Sequence, residues 1–454
     1  MRHVEQNWTD MRPSRSLMPW RRVRMQEASE LAAEAESTGA ASPQPPGRHD
    51  LALLAVGAGL SNASSMLTLV GLTVRLYDSG PGAVAIMFAA GTVGGVLGTP
   101  IGGWLVDRYR NRPLYVCILV AQAVTLSALV AVASVPAAII AGLAIMGMLG
   151  AMATTCTSVL VARINAEDDG VRGFSWVSTA RTAGAMAGTL LGGVVAAGPG
   201  LEVALAIDAA ASFLQAFLIS RIRTDRDPRV HDRFAGTSRR SLAGLAQLGR
   251  DRVLTVRLVA HVVTMTAMTI ALANEIFLVT GVMRQNEVVY GVVVTCWGIG
   301  VLAGAVVTRR LKGIDALLRA YLIGTGVMAA AFAVTALFPH PVVNAIAWIT
   351  CGGCAAVQNI TLMALVQKRT PEAYKGRVYS AAGTTLIIAN TVGYLSAGPV
   401  IALAGPRNTL FIAAALIVPA TLAMVVVVFR ERVGSEPATA AETENTSATK
   451  NGAT

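Results

Sequence analysis

Residues 102–112 read GGWLVDRYRNR, and this stretch ends a long apolar run with an acidic residue and a cluster of arginines. If the run is a helix that ends here, its macrodipole makes the C-terminus partly negative, which favours arginines there and disfavours the carboxylate of Asp107. We therefore predict that Asp107 meets a partner outside its own helix.

The composition is that of an integral membrane protein. The chain has 454 residues, of which 54% are hydrophobic and 14% are charged, and this is too apolar for a soluble protein of this size. Runs of about 20 apolar residues recur, each long enough to cross a hydrocarbon core of about 30 Å as a helix. We predict twelve transmembrane helices. The predicted spans are 51–76, 82–106, 113–133, 136–163, 175–197, 201–221, 254–281, 288–308, 314–337, 341–366, 376–403 and 408–430.

The placement of basic residues predicts the membrane topology. Residues 1–50 are predicted to form a disordered N-terminal arm, with a misassigned start codon as the alternative, and residues 431–454 a disordered tail. An even number of spans puts both termini on one side. Placing that side in the cytoplasm leaves only Arg75, Arg284 and Arg407 of the 37 Lys and Arg residues outside. This positive-inside pattern predicts a multi-pass protein of a bacterial cytoplasmic (inner) membrane with both termini cytoplasmic.

A long charged connection, predicted as a cytoplasmic linker at 222–253, divides the spans into six and six. The two sides match in sequence at three corresponding places. The clearest match aligns LVARINAEDDGVRGFS at 160–175, without gaps, to LVQKRTPEAYKGRVYS at 365–380. Such matches are typical of a duplicated transporter fold. We predict an N-terminal six-helix bundle at 51–221 and a C-terminal six-helix bundle at 254–430.

Two motifs resemble those of the major facilitator superfamily of membrane transporters. The signature of its loop between spans two and three is matched at Gly103, Asp107, Arg108 and Arg112. The stretch QKRTPEAYKGRV at 367–378 resembles the drug-exporter branch that includes macrolide-efflux and enterobactin-export proteins. The resemblance implies an all-α membrane protein with two pseudo-symmetric six-helix bundles and transport by alternating access.

The resemblance also implies a partner for Asp107. In the superfamily this carboxylate is thought to meet the N-terminus of span eleven, which here begins near Gly376 and Arg377. A helix N-terminus is partly positive. The predicted contact is a conformational latch that holds the halves together on the cytoplasmic side and releases when the cavity opens inward. Thr308 replaces the aspartate in the second copy, so one strong latch is expected. A merely solvated charged turn is the alternative.

Glycines recur at every fourth residue in three spans. They are Gly94, Gly98 and Gly102 in span two, Gly184, Gly188 and Gly192 in span five, and Gly300 and Gly304 in span eight. A glycine at every fourth residue forms a groove along one side of the helix, and in lipid such a groove permits close backbone approach between helices. The resemblance implies that these spans slide between the halves, and static packing is the alternative.

Charged residues inside spans are costly and therefore mark functional candidates. Glu275 lies deep in span seven, and the resemblance implies that spans one, four, seven and ten line the cavity. We predict that Glu275 is the proton-coupling site, since a shielded carboxylate can load and release a proton. A structural carboxylate or an outer gate is the alternative. A structural role is favoured for Asp208 in span six, and a proton relay through His261 is a weaker hypothesis.

Several polar side chains are candidates for contact with substrate. They are Asn62, Asn274, Gln358, Asn359 and Asn390. Interhelical hydrogen bonding is an equally strong interpretation. We expect no arginine in the middle of a span, so an apolar, neutral or cationic solute fits better than an anion. Cys351 and Cys354 have the spacing of soft-metal ligands but are expected to pack helices, and no metal site is predicted.

Together these features predict a secondary active transporter and not an enzyme. The expected activity is proton-coupled efflux of a hydrophobic or amphipathic small molecule, drug-like or a metabolite. We find no phosphate-binding loop in the sequence, so the proton gradient is the expected energy source, without a cofactor. The expected partners are the substrate, protons and the lipid bilayer, with no nucleic acid, and the protein is expected to be monomeric. The alternatives are a nutrient importer of the same fold and a membrane scaffold or sensor without transport.

Overall fold

A computed structural model describes residues 48–132, 135–164, 171–225, 251–311, 313–370 and 372–435. The side chains of some residues within these ranges, among them Gly376 and Arg377, lie outside the described set. Nearly all of the predicted arm, most of the predicted linker and most of the predicted tail also lie outside it. Those three segments therefore stay predictions.

All regular structure in the described ranges is helical. The helices are α1 (Arg48–Tyr77), α2 (Pro81–Arg108), α3 (Asn111–Ala131), α4 (Pro136–Ile164), α5 (Val171–Ala197), α6 (Leu201–Ser220), α7 (Arg252–Ile276), α8 (Glu287–Arg309), α9 (Ile314–Leu337), α10 (Pro341–Arg369) and α11 (Glu372–Ser435). A π-helical segment, Phe277–Val282, continues α7.

The last helix accounts for two membrane passes. Within α11, Gly405 has φ 79° and ψ 161°, which is not helical. It divides α11 into a first arm (372–404) and a second arm (406–435). Ten helices in the described part of the chain are long and apolar enough to span a membrane, and one of them, Ala381–Val426, has 46 residues. That is enough for two passes at 1.5 Å per residue. With α5, the described chain is consistent with the predicted twelve spans.

The helices form two pseudo-symmetric bundles, as predicted. In the N-terminal half α1 packs on α5, α2 on α4 and α3 on α6. The C-terminal half repeats this order, with α7 packed on α11, α8 on α10 and α9 on α11. Arg407 in the second arm fixes one of these contacts, since its guanidinium donates to the carbonyls of Ala336 at 2.6 Å and Leu337 at 3.1 Å.

The periodic glycines pack helices within each half. A Cβ atom at Gly98 would overlap the backbone of Met148 in α4, and one at Gly188 would overlap the carbonyl of Ala63 in α1. Gly304 approaches α10 in the same way. These grooves therefore join helices of the same half. The close approach between the halves uses a different pair of glycines, Gly193 in α5 and Gly291 in α8.

The two halves contact each other near one end of the molecule. We call the end where α1 begins the terminal face and the other end the opposite face. Towards the opposite face, the rings of Tyr77 and Phe277 lie 5.1 Å apart and those of Phe88 and Tyr394 stack at 4.9 Å. Gly193 in α5 approaches the start of α8 closely. These contacts close the space between the halves at the opposite face.

Candidate functional site

A cavity of about 860 Å³ lies between the two halves. Helices of both halves line it. The lining reaches Val161 in the last turn of α4 and Val177 near the start of α5, which lie towards the terminal face. Towards the other end the lining includes Phe88 and Tyr394, whose rings stack, and Tyr290 near the start of α8. The cavity is thus closed towards the opposite face, and its lining extends towards the terminal face.

The cavity wall is mainly apolar and unusually rich in methionine. The methionines are Met66, Met87, Met186, Met265 and Met268, and the aromatic residues are Phe88, Tyr290, Trp297, Trp348 and Tyr394. Methionine side chains are flexible and polarisable, so they adapt to ligands of different shape. Pockets of this kind bind apolar or amphipathic molecules.

Arg181 is the only charged residue that lines this cavity in the described part of the chain. It lies in α5, well inside the helix. The expectation that no arginine lies in the middle of a span is therefore wrong. The sequence did carry a signal, since Arg181 falls inside the predicted span 175–197. It lies near the start of that span, where a basic residue is expected at the cytoplasmic end.

A second arginine, Arg257 in α7, is fully buried. Its guanidinium carbon lies 3.5 Å from the centroid of the Tyr321 ring, and one of its nitrogens donates to the carbonyl of Gln358 at 2.6 Å. His261, one turn further along α7, is also buried. Glu275 lies about 21 Å from His261 along the helix axis, too far for direct proton transfer. Arg257 lies near the start of the predicted span 254–281, where a basic residue is expected at the membrane surface, so its burial could not be predicted from sequence.

Glu275 lies in the interior of the C-terminal half. Its side chain is fully buried and accepts a hydrogen bond of 2.5 Å from the amide of Asn344. It is not part of the described lining of the central cavity. Trp348 borders both the cavity and the small space beside Glu275. The Trp348 indole therefore separates the carboxylate from the cavity, and the role of Glu275 in coupling stays a prediction.

The five polar candidates for substrate contact divide into two groups. Asn62 and Asn390 line the cavity. Asn274 is buried and donates to the Pro406 carbonyl at 2.9 Å, and the Gln358 amide donates to the Thr325 hydroxyl at 3.2 Å. Asn359 is exposed and donates to the carbonyl of Ala355. The structure thus brings two of the five together at the cavity.

The predicted latch lies at the terminal face. Asp107 is exposed in the last turn of α2, and no hydrogen bond or ion pair joins it to another described residue. A Cβ atom at Gly103 would meet open space. Arg108 lies over the ring of Trp104 at 5.4 Å. Because the side chains of Gly376 and Arg377 lie outside the described residues, the latch stays a prediction.

Arg112 makes its contacts within the N-terminal half. Its backbone nitrogen donates to the carboxylate of Asp225 at 2.9 Å, and its guanidinium donates to the carbonyl of Ser220. Arg110 pairs with the same carboxylate at 3.0 Å. The arginines of the opening motif thus tie the loop between α2 and α3 to the end of α6.

Known transporters share this architecture. The nucleoside transporter NupG aligns with 83% of this chain and 98% of its own, with a TM-score of 0.68 and 15% identity. The human organic anion transporter MFSD10 aligns with 84% of this chain and 100% of its own, with a TM-score of 0.60 and 18% identity. A bacterial homologue of the iron transporter ferroportin, in an inward-facing state, aligns with 83% and 98%, with a TM-score of 0.62 and 14% identity. At these identities the similarity shows the fold alone.

No curated protein sequence matches the chain significantly. The model of the Major Facilitator Superfamily does match it, over residues 51–393 and 287–452. This match covers both bundles, the cavity between them and the motif at 102–112. The chain therefore belongs to the major facilitator superfamily.

Proposed function

We propose that this transporter exports a hydrophobic or amphipathic small molecule in exchange for protons. The observation that carries the proposal is the cavity of about 860 Å³ between the two halves, with its methionine and aromatic wall. It is large enough for a drug-sized molecule. Its closure at one face and extension to the other is the geometry that alternating access requires.

We propose that the terminal face is cytoplasmic, in a bacterial inner membrane. The support is the positive-inside pattern, because the lysines and arginines concentrate at this end of the spans. In this orientation the described conformation is open to the cytoplasm. An exporter in this state is ready to take substrate from the cytoplasm or from the inner leaflet. The protein is proposed to act as a monomer, powered by the proton gradient and without a cofactor.

The charge of the cavity narrows the proposed substrate class. Arg181 places a positive charge in an otherwise uncharged lining. Like charges repel strongly in a site of low dielectric constant, so a cationic solute is disfavoured. We therefore propose neutral or weakly acidic amphipathic molecules as substrates. This revises the expectation that a cationic solute would fit as well as a neutral one.

Proton coupling is proposed to use Glu275. Its support is a buried carboxylate with one amide partner, Asn344, and a single aromatic side chain, Trp348, between it and the cavity. A rotation of the Trp348 indole would expose the carboxylate to the cavity. Substrate and proton would then compete for the same region, as exchange requires.

Asp107 is proposed to form the latch in the outward-open state. Replacement of Asp107 by Ala is expected to lower transport several-fold while membrane insertion is unchanged, because the helix N-terminus of α11 would lose its anionic partner. Transport in membrane vesicles, normalised to protein amount, measures this effect. Thr308→Ala, at the corresponding position of the second copy, is the matched control. Normal rates in Asp107→Ala would remove the latch from the mechanism.

Transport in everted membrane vesicles tests the proposed function. The probes are radiolabelled fusidic acid, which is acidic, chloramphenicol, which is neutral, and ethidium, which is cationic. We expect an acidic vesicle lumen to drive accumulation of the acidic or neutral probe above that of ethidium, and nigericin to abolish it. Accumulation only when the lumen is alkaline would indicate an importer. Binding without movement under either gradient would indicate a scaffold or sensor.

A further inference from the structure

A second cavity, of about 330 Å³, lies inside the N-terminal half. We call it the side chamber. Side chains from α1, α3, α4 and α6 form most of its wall. Asn62, Thr157 and Arg181 line both the side chamber and the central cavity. The side chamber therefore adjoins the central cavity at these residues.

Asp208 of α6 lines the side chamber and is 2% exposed. The hydrogen-bond partners of its carboxylate are the hydroxyls of Ser64 and Thr68 in α1. These hydroxyls already donate to backbone carbonyls, Ser64 to Ser61 at 3.1 Å and Thr68 to Ala204 at 3.2 Å. A hydroxyl has only one proton to donate. Each hydroxyl can therefore donate to the carboxylate only when it gives up its bond to the backbone carbonyl.

The side chamber offers Asp208 no close opposite charge among the described residues. Arg181 and Tyr115 are the other titratable residues in the described lining of the side chamber, and α1, α2 and α4 contribute uncharged side chains. The helix positions of Arg181 and Asp208 place them about 13 Å apart along the membrane normal. The Tyr115 hydroxyl is hydrogen-bonded to the Thr157 hydroxyl at 2.9 Å and accepts from the Gln215 amide at 3.0 Å. An ionised Asp208 would have no nearby cation among the described residues, and it could take a hydrogen bond from Ser64 or Thr68 only at the expense of that hydroxyl's bond to a backbone carbonyl.

We propose that Asp208 is a proton-binding site of the N-terminal half, reached from the central cavity through the side chamber. The protonated carboxyl group donates to Ser64 or Thr68, whose oxygens are free to accept. Deprotonation passes the proton to the side chamber and from there to the cavity. The place of this site in a transport cycle rests on the proposed proton exchange, but proton binding itself does not. Each half would then hold one proton-binding carboxyl group, Asp208 in the N-terminal half and Glu275 in the C-terminal half. This proposal replaces the structural role that the sequence favoured for Asp208.

Infrared spectroscopy of the purified full-length protein in lipid nanodiscs tests this proposal. The C=O stretching band of a protonated carboxyl group is expected at neutral pH, and its frequency is expected to shift when H₂O is replaced by D₂O. The Asp208 component is expected to disappear in Asp208→Asn and to persist in Asp107→Asn, which removes an exposed acid instead. If Asp208→Asn does not fold, Asp208→Glu is expected to fold and to move the band.

Each result decides the proposal. Loss of a D₂O-sensitive component in Asp208→Asn, or its displacement in Asp208→Glu, supports it. A spectrum that neither variant changes, or a component that does not respond to D₂O, overturns it, because the group would then be ionised or sealed from water. The vesicle assay separates this from the proposed function. If transport is driven by the gradient but the Asp208 component is absent, the proposed function is supported and the proton-binding site is not. If the component is present but the gradient drives no transport, the site is supported and the proposed function is not.

Discussion

Glu275→Gln is expected to abolish transport driven by a pH gradient, with the initial rate falling by roughly tenfold or more. Glutamine has the shape of glutamate and can keep the contact with Asn344, but it cannot exchange a proton. The structural consequence of the change is therefore small, and the loss would come from coupling. Initial rates of probe uptake in everted vesicles measure it.

A second readout separates coupling from structure. Exchange of labelled for unlabelled probe, without a gradient, is expected to continue in Glu275→Gln, because it needs the cavity but no net proton movement. Asp78→Asn, which changes an exposed acid in the turn between α1 and α2, is the matched control and is expected to behave as the parent protein. Full gradient-driven transport by Glu275→Gln would move the coupling site elsewhere, with Asp208 as the next carboxylate to test.

Gly193→Leu is expected to prevent closure at the opposite face. A Cβ atom at Gly193 would lie 2.7 Å from the carbonyl oxygen of Glu287 and 3.2 Å from the Cα atom of Gly291. A larger side chain cannot fit while α5 and α8 stay in contact. Overpacking of this kind costs about 1–3 kcal/mol, which shifts a two-state equilibrium by roughly fivefold to a hundredfold. The variant should favour the outward-open state and lose most transport.

Cysteine labelling measures this shift. A cysteine placed at Tyr290, which lines the cavity near the opposite face, is expected to react with an external, membrane-impermeant reagent faster in Gly193→Leu than in the parent. Gly326→Leu is the matched control, because Gly326 is exposed in α9 and an added Cβ would meet open space. Unchanged labelling and unchanged transport in Gly193→Leu would show that the contact between α5 and α8 does not seal the cavity.

Much of the fold could be predicted from sequence because lipid leaves the backbone few choices. A chain in a bilayer must satisfy its own hydrogen bonds, so each apolar run of sufficient length is a helix. The predicted span 201–221 is α6, Leu201–Ser220, almost residue for residue. The break at Gly405 corresponds to the predicted turn between the last two spans. The sequence matches between the halves also predicted two pseudo-symmetric bundles, and the repeated order of helix pairs agrees with this.

The direction in which each side chain points, into the cavity or into its own half, could not be predicted in the same way. In a membrane both the lipid-facing side and the protein-facing side of a helix are apolar, so the sequence pattern does not tell which side faces the cavity. Asn274 and Glu275 are neighbours in α7, yet both point into the C-terminal half and neither lines the cavity. Arg181 was expected at the membrane surface because it lies near the end of a predicted span, but it lines the cavity. The conformational state, closed at the opposite face, also has no signature in a single sequence.

Distances between spin labels on the two halves test whether the protein works by alternating access. One pair is placed at the opposite face, at Asp78 and Asn286, and one at the terminal face, at Arg163 and Lys368, all of which are exposed. The structure predicts a short distance for the first pair and a long one for the second. A change of pH or addition of a transported probe is predicted to lengthen the first distance and shorten the second. Two distances that stay constant, or that change in the same direction, would contradict the mechanism.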